Sequence, residues 1–230
     1  MRHASTAFAT RPTGRVGPGR VVVVVDPAAG GSPAPEWAVT WCRRSGRELV
    51  LHPLETTPAG LLVADRCAQA AAHVAALLTE ADGTAVLVPR RTIAHAGPPR
   101  VVAALRDLPD DAAVLADAAD SAAQLAAGLT IVHGVPTSFG ERSVGLAAAV
   151  DHGRRLLDAG VEQVAAFAPE LAVTADLVRA RPHELVGEEL EADLLVLGGP
   201  RAGGRGELGL VARTALHHAP CPVLLVPRPA

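Results

Sequence analysis

Residues Ala192–Pro227 read ADLLVLGGPRAGGRGELGLVARTALHHAPCPVLLVP. Leu194–Leu197 is a short apolar run of strand length. It opens into six glycines within twelve residues: Gly198, Gly199, Gly203, Gly204, Gly206 and Gly209. A helix follows, with Leu208, Val211, Ala212, Ala215 and Leu216 on one face at helical spacing. Pro222 and Pro227 then bracket a last apolar strand, Val223–Val226. A strand that opens through glycines into a helix N-terminus is how α/β folds cradle phosphate. Glycine lets the backbone approach the anion, and the helix end offers N–H donors that have no partner inside the helix.

On Asp193–Gly198 and His217–Val223 the stretch resembles the end of a universal stress protein domain. That resemblance implies an α/β fold, a Rossmann-like open parallel sheet flanked by helices. It also implies ATP as a ligand, held by Gly198, Gly199, Gly203, Gly204 and Gly209. The loop departs from the family pattern in three ways. Arg201 falls where the second glycine is expected, the span to Gly209 is two residues short, and Leu210 replaces a hydroxyl residue.

The start of the chain points the same way. Val21–Val25 is a continuous β-branched run, the mark of a strand covered on both faces. Asp26-Pro27 ends it, and Gly30-Gly31-Ser32-Pro33 turns the chain into a helix that runs to about Ser45, where Gly46 stops it. Leu49–Leu54 reads as the next strand, so the segment is a βαβ unit with parallel strands. Asp26, Gly30, Ser32, Trp37 and Ala38 stand roughly where the family's opening pattern has them, which implies that Asp26 lies near the adenine or ribose.

An internal repeat follows. Leu49–His52 echoes Thr130–His133, Pro99 echoes Pro182 ahead of a helix, and Asp111-Ala-Ala-Val-Leu echoes Asp193-Leu-Leu-Val-Leu, at offsets of 81, 83 and 82. Leu61–Glu80 and Arg142–Ala159 read as Ala-rich helices between these landmarks. The chain thus reads as two abridged tandem copies of a universal stress protein domain: residues 20–109, without a Gly-rich loop, and residues 110–230, with one. Residues 1–19 read as a disordered tail. Ala112–Ala116 is read as a strand, closing the first copy or opening the second. In the second case Asp117 is that copy's strand-end acid, which the resemblance implies lies near the nucleotide as Asp26 does, ahead of a short helix, Ser121–Ala127.

Composition narrows the function classes. Nearly half the residues are apolar, with no Tyr, three Phe and two Trp, so the core rests on Val, Leu and Ala. All 21 formal cations are arginine, which excludes Schiff-base chemistry and a P-loop lysine. A net charge of −3 without a basic block disfavours nucleic acid. Cys42, Cys67 and Cys221 lack C-x-x-C spacing and read as reduced packing residues of a cytoplasmic protein. No apolar run is long enough to span a bilayer, and Met1–Arg20 does not read as a secretory signal.

No catalytic set emerges, so the chain reads as a binding protein, at most a weak ATPase. His217 and His218 are adjacent on a helix and point about 100° apart, a poor chelate; they read as the end of that helix. His52 and His133 end strands and read as polar edge residues. The exposed edge of Val223, Leu224, Leu225 and Val226 points to a homodimer. The expected function is regulation or signalling under stress, gated by adenine nucleotide; the alternative is a nucleotide-free dimeric scaffold of the same fold.

Overall fold

The computed structural model describes residues 21–25, 33–46, 48–53, 61–66, 78, 84–89, 91–92, 96–136, 144–181, 183–201 and 207–229. The strands are β1 (Val21–Val25), β2 (Leu49–Pro53), β3 (Leu61–Asp65), β4 (Thr84–Val88), β5 (Arg100–Ala104), β6 (Gly128–Gly134), β7 (Val173–Val178), β8 (Leu194–Arg201) and β9 (Val223–Arg228). The helices are α1 (Ala34–Ser45), α2 (Ala112–Leu125), α3 (Val144–Phe167) and α4 (Leu210–His218), with a 3-10 turn at Glu184–Val186. The strands form one sheet in the order β2-β1-β3-β4-β9-β8-β5-β6-β7.

Every described neighbour pair in that sheet is parallel except β4 with β9. Outward from this antiparallel seam the order repeats: β4, β3, β1, β2 on one side and β9, β8, β5, β6 on the other, with β7 added last. The Leu49–His52 and Thr130–His133 echo is therefore positional, since β2 and β6 hold matching places. The Asp111 and Asp193 echo is not, because Asp111 precedes helix α2 and Asp193 precedes strand β8. By position Leu61–Ala64 corresponds to Leu194–Leu197.

Alternation along the central strands sorts the core into two layers. Leu194 and Val196 face a cluster with Trp41, Leu115, Leu157 and Val164, from the helices α1, α2 and α3. Leu195 and Leu197 face Ala212, Ala215 and Leu216 of α4, together with Val186. A period of two with both faces apolar is the pattern of a sheet covered on both sides. The first cluster runs from Ala34 and Val63 to Leu129 and Val226, so both halves share it. Arg66 adds a polar tie: its Nη1 donates to the carbonyls of Ala215 (3.4 Å) and Ala219, at the C-terminal end of α4.

Several expectations are corrected here. Leu61–Asp65 is a strand, not the start of an Ala-rich helix, and the run after Pro99 is strand β5, not a helix. Ala112–Ala116 is helical, so it neither closes nor opens a unit as a strand. β5, placed in the first copy by a boundary near Pro109, pairs with β6 and β8. The edge of Val223–Val226 expected to meet a second copy is occupied by β4, through Ala85↔Leu225, Val86↔Leu224 and Leu87↔Val223. No described helix is long and apolar enough to cross a membrane.

Candidate functional site

In the C-terminal half β6 lies to one side of β5 and β8 to the other. The chain leaves β5 towards β6 and returns through β8, so the sheet forks beyond the C-terminal ends of these strands. Open α/β sheets place their ligand crevice at such a fork. A cavity of about 300 Å³ sits there, with Leu105, Val132, Leu185, Leu197 and Val211 among its apolar walls. Its described polar side chains are Arg106, His133 and Arg228, and Gly198, Gly209 and Leu210 complete its α4 side.

The turn after β5 is built around Asp111. This carboxylate is fully buried. Its Oδ2 accepts from the backbone N–H of Arg106 (2.6 Å) and Asp107 (3.2 Å), and its Oδ1 accepts from Arg228 Nε (2.7 Å). Beside it Asp110 Oδ2 accepts from Arg106 Nη2 (3.2 Å) and Arg201 Nη2 (3.1 Å). Opposite, His133 Nδ1 lies 3.0 Å from the carbonyl of Leu105. A carbonyl only accepts, so Nδ1 is the donor in this contact. The sequence at β5 could have exposed Arg106 as the residue at a strand end. Nothing local marks Arg228, which comes to the cavity only because β9 lies beside β8.

The expected site residues separate. Gly198 and Gly199 are not in a loop, because β8 continues through Arg201 with a register irregularity between Gly198 and Arg201. A Cβ on Gly198 would lie 2.4 Å from the Arg228 guanidinium, so the space above this glycine belongs to that side chain. A Cβ on Gly199 would instead approach the Val226 carbonyl (3.4 Å) and Leu78 (3.6 Å), which makes it a packing residue. Gly209 caps α4 and lines the cavity with open space where a Cβ would be. Leu210, at the first turn of α4, is 56% exposed.

Asp117 is not a strand-end acid. It is fully buried within α2, and its backbone carbonyl accepts from Ser121 Oγ (2.6 Å). Strand β5 reaches the cavity, and it is followed by Leu105 and Arg106 rather than by an acid. Asp26, Gly203 and Gly204 lie outside the described residues. His217 and His218 close α4, and His218 Nδ1 lies 3.4 Å from Glu188. No group of three or more metal-binding side chains occurs among the described residues.

Comparison with known proteins agrees with this architecture. The family model for the universal stress protein family matches residues 98–227. No curated protein matches the chain. A candidate universal stress protein of Pseudomonas aeruginosa UCBPP-PA14 is similar at 16% identity and a TM-score of 0.52, over 90% of this chain and 82% of that one. Universal stress protein UspA of Lactobacillus plantarum aligns at 18% identity and a TM-score of 0.46, over 58% of this chain and 99% of its own. The universal stress protein of Archaeoglobus fulgidus, solved in complex with dAMP, aligns at 22% identity and a TM-score of 0.44, over 58% of this chain and 99% of its own.

Proposed function

From the premise that this chain belongs to the universal stress protein family, whose model matches more than half of it, we propose a regulatory protein that responds to a small anionic ligand bound in its C-terminal half. The observation that carries this reading is the cavity at the β5/β8 fork. It brings two arginines, a strand-end histidine and the N-terminal turn of α4 onto one apolar space. Helix N-termini and guanidinium groups both favour anions. The family resemblance makes adenine nucleotide the first ligand to test, with Gly198 and Gly209 at the cavity and Gly203 and Gly204 in the segment between them. We also propose two abridged copies, the second starting near residue 98, where the family match begins.

A second reading, of a scaffold that binds no nucleotide, has its own support. Arg228 fills the space over Gly198, and Leu210 offers no hydroxyl. The two readings separate in one experiment: acid extraction and chromatography of freshly purified protein, followed by calorimetry with Mg-ATP and with AMP. A small anion in the extract, or micromolar heat with either nucleotide, supports the ligand-responsive protein. A clean extract with no heat favours the scaffold.

A further inference from the structure

Two arginines that line the cavity, Arg106 and Arg228, belong to a cluster with Arg201, Asp110 and Asp111. Arg228 pairs with Asp111 at 2.7 Å, while Arg106 and Arg201 share Asp110 at 3.2 and 3.1 Å. The set carries one net positive charge. Arg228 is largely buried and gives only its Nε to Asp111. Neither of its Nη groups has an acceptor among the described residues. An arginine that gives Nε to one carboxylate still presents its Nη pair to a second. The described lining contains no carboxylate to accept from ribose hydroxyls, and most of it is apolar. A triphosphate would bring several negative charges to a site with one in excess. Its path along Gly198 is taken by the guanidinium.

We propose that the cavity takes a small monocarboxylate with an apolar body, its carboxylate held by the Nη groups of Arg228 and its body among Leu105, Val132, Leu185, Leu197 and Val211. This rests on reading the cavity as a ligand site and adds the class of ligand. Asp111 acts as a positioning residue: the backbone N–H groups of Arg106 and Asp107 fix it, and it in turn aims the guanidinium.

The test is calorimetry on the full chain with octanoate, its uncharged isostere octanamide, and Mg-ATP. It is repeated on the double variant Asp111→Asn/Arg228→Gln, whose amides can keep a hydrogen bond without either charge. Octanoate is expected to bind the parent protein at least tenfold more tightly than octanamide, and the double variant to lose that preference. Equal binding of the two, no octanoate binding, or a preference that survives in the variant would overturn the inference. If the variant does not fold, the two probes on the parent protein still decide. Heat with Mg-ATP but not octanoate would remove the inference and leave the ligand site standing. Heat with octanoate but not Mg-ATP would support the inference and remove nucleotide as the ligand.

Discussion

Val86 of β4 pairs with Leu224 of β9 across the antiparallel ladder that joins the two halves of the sheet. Both residues are buried, and β9 is hydrogen-bonded on its other side to β8. An apolar strand with an open edge attracts a second strand, and here the chain supplies that strand itself. The expected outcome in sedimentation velocity at micromolar concentration is a single species of 23.5 kDa. A stable species of twice that mass that dissociates when Leu225 is replaced by glutamate would contradict this arrangement.

Arg66 is predicted to couple the halves a second time. It follows β3 in the N-terminal half and donates to the last carbonyls of α4 in the other, where a cation also meets the negative end of the helix dipole. Burial pulls its pKa down from the ordinary arginine value. Arg66→Ala should lower unfolding stability by about 1.5–3 kcal/mol, the usual range for a hydrogen bond to a charged group. Urea denaturation measures it, and a change under about 0.5 kcal/mol would show the tie to be an incidental surface contact.

Leu210→Ser restores a hydroxyl at the cavity mouth. Because Leu210 is exposed, the change should shift stability by no more than about 0.5 kcal/mol. If the cavity accepts nucleotides, affinity for AMP should rise in calorimetry. Unchanged affinity in a variant that does bind AMP would place the phosphate away from α4.

Cys221 supplies a pH test. Burial pushes its thiol from 9.0 up to about 12. The folded state therefore keeps its proton after the unfolded thiol has lost its own. This contribution is complete below about pH 9 and is lost as pH rises towards 12, at about 1.4 kcal/mol per pH unit. The chain has no lysine and no tyrosine, so few other groups titrate in that window. Between about pH 9 and pH 10 the parent protein should lose roughly 1 kcal/mol more than Cys221→Ala in urea unfolding. Parallel losses in the two proteins would show that this thiol ionises as readily folded as unfolded.

Much of the fold was legible because its signals are local. The valine run of β1, Gly46 ending α1 in a left-handed conformation, and the helical stripe of Ala212, Ala215 and Leu216 all appear as the sequence implied. Short Ala- and Leu-rich runs were not legible. Leu61–Asp65 and Arg100–Ala104 suit helix or strand by composition, and only their places in the sheet make them strands. Once β5 is misread, the strand end at the cavity is misplaced: Asp117 is read there, while Leu105 and Arg106 follow β5 in space. Gly198 was legible as a position of close approach. What approaches it is the Arg228 side chain, and that depends on the neighbour relation of β8 and β9.

The central claim is that the fork between β5 and β8 is a ligand site. The most direct measurement is an amide NMR titration of isotope-labelled full-length protein, with octanoate and with AMP in separate series. The account predicts saturable shifts at Gly134, Gly198, Gly209 and Val211, with the opposite end of the sheet near Gly128 unmoved. Shifts confined to that opposite end, or none with either ligand, would contradict it.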